Sequence, residues 1–166
     1  MKNILISNDI DINMNIPSVS IAECATSGSV ASQFGHVWGA AQYFKGAIIT
    51  YDNKLKTKYL GVDERKIADF VGCAKDIVLE MAMARGVTKM FDTRYGISTS
   101  GYATPYPPEK ITIPYVWYCI YDSKKDNVVE IDRISNDGFL SREEFQKKVG
   151  MMLHVKYMIA VGNVDV

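Results

Sequence analysis

The first residue that could do covalent chemistry is Cys24, in the stretch IAECATSG at residues 21–28. Here a short apolar run ends in a glutamate, a lone cysteine and a small-residue turn, and a helical pattern follows. A thiolate is a strong nucleophile, and the positive end of a helix favours it. The turn at Thr26, Ser27 and Gly28 would offer backbone N–H groups to an oxyanion or a phosphate. The alternative is a packed sulfur, because free cysteine is often buried.

A base for such a thiol could come from the segment that follows the next predicted strand. Lys54, Lys56 and Lys58 come directly after GAIITY, residues 46–51, and Tyr51 ends that strand with a hydroxyl group. Side chains at strand ends are well placed for chemistry, because α/β sheets put their sites there. The alternative is that three lysines in five residues form a solvated helix face.

Two further groups of residues could bind a ligand. Ser98 and Thr99 follow Gly96 and could form a small-residue loop for an anion, although a plain connection between strand and loop is the alternative. A dense set of aromatic residues could line a pocket or form an interface, and exposed aromatic residues favour the interface. The set is Tyr102, Tyr106, Tyr115, Trp117, Tyr118 and Tyr121.

Hydrophobic spacing supplies the elements that must position these residues. The predicted strands cover residues 18–23, 46–51, 89–97, 111–122 and 127–135, and the predicted helices cover residues 28–44, 52–62, 65–86 and 141–160. Gly61 and Gly86 are expected to end helices, and Ser141 with Glu144 three residues later has the pattern of a helix start. Residues 98–110 are expected to form a loop. The order predicts an α/β or α+β sandwich with a mixed sheet.

Composition limits the function classes. The chain has 166 residues, enough for one domain with its own core, and residues 1–17 read as a divergent N-terminal arm or edge strand. Lysine plus arginine equals aspartate plus glutamate at 19 each, which argues against nucleic-acid binding and leaves little charge repulsion between copies. Three widely spaced cysteines and two isolated histidines argue against a zinc site or another metal centre.

Cellular location follows from two observations. The odd, scattered cysteines do not form a disulfide framework, which favours a reducing compartment. The N-terminal segment has neither the pattern of a signal peptide nor the ~20 apolar residues of a membrane span. The sequence therefore predicts a cytoplasmic protein without a membrane partner.

One block of sequence resembles a known family. VWGAAQYFKGAIITYDNKLKTKYLGV at residues 37–62 matches, without a gap, the segment VPGSSAYFxGGVVAYSNxxKxxLLGV of the CinA C-terminal domain family. AECATSG at 22–28 is similar to the family's AESCTGG, and LSREEFQ near the C-terminus is similar to a family pattern that contains an arginine, here Arg142. The resemblance covers residues 18–160 and is strongest in the ungapped block.

The resemblance implies a three-layer α/β sandwich that self-associates. It also implies an amidase that deamidates nicotinamide mononucleotide through a serine–lysine pair, without a cofactor. The family serine falls on Cys24, the lysine on Lys56 and the tyrosine on Tyr51. The threonine of the family's TGIAGP loop falls at or near Tyr95, whose ring would then occupy the nucleotide pocket.

Two functions remain open from the sequence. The first is a cysteine amidohydrolase that cleaves a C–N amide bond of a small nucleotide-like substrate, with Cys24 as nucleophile and Lys56 as base. The second is a catalytically inactive, self-assembling structural or binding protein. The first predicts that Cys24 and Lys56 face each other across a pocket floored by Tyr51 with Arg142 at its rim. It also predicts that the Lys56 ammonium makes the Cys24 thiol ionise more easily.

Overall fold

The computed structural model describes residues 15–68, 77–138 and 140–162. Five strands form one mixed sheet in the order β2-β1-β3-β4-β5. They are β1 (Val19–Glu23), β2 (Phe44–Ile49), β3 (Tyr95–Tyr102), β4 (Tyr115–Asp122) and β5 (Asn127–Ser135). β1 is parallel to both β2 and β3, whereas β4 is antiparallel to β3 and β5 is antiparallel to β4. The predicted α/β fold with a mixed sheet is confirmed.

Helices cover both faces of the sheet, which makes three layers. The α-helices are α1 (Ser29–Gly35), α2 (Asn53–Leu60), α3 (Glu64–Ala68), α4 (Ile77–Phe91) and α5 (Arg142–Ala160), and short 3₁₀ turns lie at Ala40–Gln42 and Pro107–Glu109. Among the described residues, no helix is long and apolar enough to cross a membrane.

Strand alternation divides the core into two sides. Ile21 and Val19 of β1 pack with α1 and α5, and we call this the α1/α5 face. Ala22 packs with buried residues of α2 and α4, such as Leu60 and Met83, and we call this the α2/α4 face. Each residue of β1 therefore belongs to one face, and its neighbour belongs to the other.

Two helix ends match the sequence prediction and one does not. α2 ends at Gly61, which has φ 66° and donates its N–H to Lys56 and Thr57 carbonyls. α5 starts with the capping box of Ser141 and Glu144. Gly86 was expected to end a helix, but α4 continues to Phe91. A Cβ at Gly86 would lie 2.1 Å from the Leu60 carbonyl oxygen, so this glycine permits close packing of α2 on α4.

Other boundaries also differ from the sequence prediction. The predicted helix at 28–44 is shorter, because α1 ends at Gly35 and β2 begins at Phe44. The predicted helix at 65–86 includes residues 69–76, which lie outside the described residues, as does the N-terminal arm at 1–14. The predicted strand at 89–97 and loop at 98–110 are displaced, because residues up to Phe91 belong to α4 and residues 98–102 belong to β3.

Candidate active site

Cys24 is the residue that follows β1, and strand alternation places it with Ala22 on the α2/α4 face. Its backbone N–H donates to the Thr99 carbonyl at 3.0 Å, which continues the β1–β3 pairing by one step. The side chain is only partly exposed. A strand end therefore holds the thiol in a fixed position below α2.

Lys56 lies one helical turn into α2. Asp52 starts this helix by accepting the Lys54 N–H through its side chain. Lys56 is only 2% exposed, and its Nζ donates to Asn53 Oδ1 at 2.9 Å and to Cys24 Sγ at 3.6 Å. The structure thus brings Cys24 and Lys56 together, and an asparagine side chain fixes the lysine from the other side.

Electrostatics at the thiol differ from the sequence prediction. Burial raises the pKa of Cys24 above its ordinary value, and this outweighs the nearby Lys56, which lowers it; the charge of Glu80 raises it further. The expectation that the thiol ionises more easily than a free cysteine is therefore wrong. A thiol of this kind needs a base to remove its proton during a reaction.

A cavity of about 290 Å³ opens beside Cys24. Arg142, the first residue of α5, donates from Nη2 to Tyr51 Oη at 2.9 Å, and both side chains are exposed at the rim. The lining residues are Cys24, Ala25, Tyr51, Gly101, Tyr102, Ala103, Thr104, Tyr106 and Arg142. The structure thus brings the predicted residues Cys24, Tyr51 and Arg142 to one cavity. Lys56 contacts the Cys24 thiol but does not line the cavity.

The backbone N–H groups of the turn after Cys24 bind other parts of the protein. The buried Glu23 carboxylate accepts the N–H groups of Gly28 at 2.9 Å, Val30 at 3.2 Å and Ala31 at 2.7 Å. The Ser27 N–H donates to the Cys24 carbonyl. These donors are occupied, so the geometry gives no support to the predicted ligand-binding role of Ser27 and Gly28.

Thr26 and Thr99 lie on the α1/α5 face, and their hydroxyl groups bond to each other at 2.6 Å. Both side chains are fully buried. Neither is among the residues that line the cavity. The structure therefore does not bring these two predicted ligand-binding residues to the Cys24 thiol.

Ser98 lies on the same face as Cys24 but contacts a residue that the sequence analysis missed. Its Oγ lies 2.8 Å from both the backbone oxygen and Oε2 of Glu80, and the Ser100 hydroxyl bonds to Glu80 Oε1. The signal in the sequence was Glu80 itself, an acidic residue within the apolar stripe of α4. It packs against small residues of β3. These residues are small because α4 packs on β3: a Cβ at Gly96 would lie 2.2 Å from the Ala84 carbonyl oxygen.

Tyr95 lies at the wrong end of β3 to fill the cavity. It pairs with Val19 at the start of β1, and its ring packs against Tyr157 in the α1/α5 core. The cavity is lined instead by Gly101, Tyr102, Ala103 and Thr104, at the end of β3 and just after it.

Half of the aromatic set is buried, and these three residues are not available to form an interface. Tyr115, Tyr118 and Tyr121 lie in the core. Tyr102 and Tyr106 line the cavity, with ring centroids 5.7 Å apart in a stacked arrangement. The density of aromatic residues therefore reflects core packing and a cavity wall.

Sequence comparison relates the chain to one known family. Residues 12–152 match the CinA C-terminal domain family. The chain is 37% identical over 110 residues to a CinA-like protein of Thermosipho melanesiensis, covering 66% of this chain and 27% of that protein. It is 34% identical over 131 residues to a CinA-like protein of Prochlorococcus marinus, covering 78% and 29%. The chain thus corresponds to less than a third of these relatives.

Solved structures share the fold. The competence damage-inducible protein A of Klebsiella pneumoniae superposes with a TM-score of 0.72 at 20% identity, over 86% of this chain and 85% of that chain. The competence/damage inducible protein CihA of Agrobacterium tumefaciens gives 0.73 at 18% identity, over 87% and 86%. With the family match over most of its length, the chain belongs to the CinA C-terminal domain family.

Proposed function

We propose that this protein is a cysteine amidohydrolase that cleaves a C–N amide bond of a small nucleotide-like substrate. The observation that carries the proposal is the contact of Lys56 Nζ with Cys24 Sγ at 3.6 Å beside an open cavity. A nucleophile within reach of a base, with the base oriented by a third group, is the arrangement of covalent catalysis. Here the third group is Asn53, which accepts from Lys56.

In the first half of the reaction, Cys24 Sγ attacks the amide carbon while the Lys56 side chain, as the neutral amine, takes the thiol proton and becomes the ammonium. The new S–C bond gives a tetrahedral intermediate. Its collapse breaks the C–N bond, and Lys56 returns the proton to the leaving nitrogen. The products of this half are ammonia, or an amine, and a thioester on Cys24.

In the second half, water attacks the thioester carbon and Lys56 accepts a proton from that water. The C–S bond breaks, the carboxylic acid leaves and the proton returns to the Cys24 sulfur. The net reaction is amide plus water to acid plus amine. The raised pKa of the Cys24 thiol supports this role of Lys56, because a neutral thiol depends on a base at the moment of attack.

The cavity rim supports a substrate with a ring and an anionic group. The Arg142 guanidinium can bind a phosphate or carboxylate through paired N–H groups, and its bond to Tyr51 holds it at the opening. Tyr51, Tyr102 and Tyr106 present aromatic surface to the same space, which suits stacking on a planar ring. The family resemblance suggests nicotinamide mononucleotide as the first compound to test.

The direct test is ammonia release from nicotinamide mononucleotide and a panel of aromatic and nucleotide amides. The wild-type protein is expected to hydrolyse at least one of them. Lys56→Met should lower kcat by about 10²-fold or more, because the base is lost. Lys58→Met is the matched control, since Lys58 lies on α2 with its Nζ over the Tyr59 ring, and it should keep its rate.

Two outcomes contradict the proposal. The first is a folded wild-type protein that releases no ammonia from any compound of the panel. The second is equal loss in the Lys56→Met and Lys58→Met variants. The first result would favour the other function, a catalytically inactive family member that acts in assembly or binding, and the second would show that hydrolysis does not depend on Lys56 as the base.

A further inference from the structure

Glu80 is a buried acid for which the proposed reaction has no direct role. It lies in the middle of α4, is 1% exposed, and shares its helix face with Ala84 and Thr88, which pack on β3. An apolar residue would fill this position without the cost of burying a carboxylate. The structure instead gives Glu80 two serine partners, Ser98 and Ser100.

The hydrogen bonds around Ser98 favour a neutral carboxylic acid. Ser98 Oγ lies 2.8 Å from the Glu80 backbone oxygen and 2.8 Å from Glu80 Oε2. The backbone oxygen can only accept, and the serine hydroxyl has a single proton to donate. If the carboxyl is protonated at Oε2, it donates to Ser98 Oγ and every contact has its own proton. In agreement, burial raises the pKa of Glu80 to about 7, against the opposing effects of the two serines and of Lys56.

Glu80 belongs to the same electrostatic group as the candidate catalytic pair. Cys24 is one residue beyond the pair Glu23–Thr99, so it lies level with Ser100 on the α2/α4 face. The charge of Glu80 acts on the pKa of the Cys24 thiol, and the Lys56 ammonium acts on the pKa of Glu80. The elements packed against Glu80 present Lys56 from α2, Cys24 from the end of β1, Cys119 from β4 and hydroxyl groups from β3.

We propose that Glu80 sets the charge state of the Cys24–Lys56 pair as a positioning residue. As a neutral acid it leaves the Lys56 nitrogen to Cys24. As a carboxylate it competes with the thiolate for the Lys56 ammonium and opposes ionisation of the thiol. The consequence for turnover, a rate that falls as pH rises past neutrality, rests on the proposed function, whereas the effect on the thiol does not.

The test measures the alkylation rate of Cys24 by iodoacetamide as a function of pH, with peptide-resolved mass spectrometry to separate Cys24 from the other cysteines. Compared with wild type, Glu80→Gln is expected to react about tenfold faster at pH ~8.5, where the wild-type carboxylate is charged, and equally fast at pH ~6. A purely structural role of Glu80 would change the rate at both values. Glu130→Gln is the control, because it removes a half-buried carboxylate bonded to Tyr118, and it should match wild type.

The proposal is overturned if Glu80→Gln and wild type have the same rate at both pH values, or if the variant is slower at the higher pH. Should Glu80→Gln fail to fold, the wild-type protein with ¹³C-labelled glutamate carboxyl groups gives the answer. One carboxyl resonance is expected to titrate near pH 7. Complete titration of every glutamate below pH ~6 would contradict the inference.

These results are separable from those on the proposed function. Alkylation needs no turnover, so a shifted pH profile without ammonia release would support the role of Glu80 and contradict the amidohydrolase. Ammonia release with an alkylation profile that is the same in Glu80→Gln and wild type would support the amidohydrolase and contradict the role of Glu80.

Discussion

Within the part of the chain that the structure describes, two glutamates are buried on opposite faces of one sheet, and their hydrogen-bond partners differ. Glu23 on the α1/α5 face accepts three backbone N–H groups at the start of α1. Glu80 on the α2/α4 face contacts two serine hydroxyls. Backbone N–H groups can only donate and therefore suit a carboxylate, whereas hydroxyls can donate or accept and therefore tolerate a neutral acid. The comparison separates a glutamate that builds the turn after Cys24 from one that can titrate beside it.

The largest effect is expected at Glu23. Glu23→Ala leaves three N–H groups at the start of α1 without their acceptor and should lower the free energy of unfolding by about 4 kcal/mol, at somewhat over 1 kcal/mol for each. Urea denaturation measures this. Glu144→Ala is the control, because Glu144 is an exposed capping glutamate of α5, and should cost about 1 kcal/mol. Equal losses of stability in the two variants would contradict the structural role of Glu23.

The pH dependence of stability tests whether Glu80 titrates. The folded-state pKa of Glu80, about 7, lies above its ordinary value of 4.5. Its contribution to stability is therefore fully present below pH 4.5 and is lost as pH rises through 7. A difference of about 2.5 between the two values corresponds to about 3 kcal/mol at most.

Glu80→Gln should not show this loss. Its free energy of unfolding, measured by urea denaturation at pH ~5 and ~8.5, should gain up to about 3 kcal/mol relative to wild type between the two values. Glu130→Gln, which changes a half-buried carboxylate bonded to Lys156 and Tyr118, serves as the reference variant. Parallel curves for wild type and Glu80→Gln would mean that Glu80 does not titrate in this range.

The smallest effect is expected from Thr99, which lies between Ser98 and Ser100 but on the other face. Thr99→Val breaks the hydroxyl contact with Thr26 and should lower the free energy of unfolding by about 1 kcal/mol. Because its side chain points away from the α2/α4 face, the alkylation rate of Cys24 should stay within about twofold of wild type. A large change in that rate would show that the two faces are not independent.

Much of the fold is readable from the sequence because its signals are local. Residues 127–135 form β5 as predicted, and the Ser141–Glu144 pattern starts α5. The errors lie where packing decides. Gly86 is a residue type that often ends a helix, but here it lets α4 pack closely on Leu60. Ser98 is a residue type that is common in loops, but here it lies in β3 against α4. A single sequence does not distinguish a residue that is small for a turn from one that is small for a neighbouring helix.

The site shows the same division. Cys24, Lys56, Tyr51 and Arg142 were predicted to share a site because the family resemblance ties their positions to an ungapped block and a matching pattern. Glu80 was missed because its partners are far away in sequence and become neighbours only through the packing of α4 on β3. Self-association remains a prediction, and the burial of Tyr115, Tyr118 and Tyr121 excludes these three aromatic residues from its interface.

The central claim is that Cys24 is a nucleophile served by Lys56, and acid-quenched mass spectrometry tests it most directly. Wild-type protein mixed with nicotinamide mononucleotide or another amide that releases ammonia should carry the acyl group on the Cys24 peptide as a thioester that hydroxylamine removes. Cys24→Ala should carry none, and Lys56→Met should form it far more slowly than Lys58→Met. Ammonia release without an adduct in the wild type, at equal rates in the Cys24→Ala variant, would contradict the account.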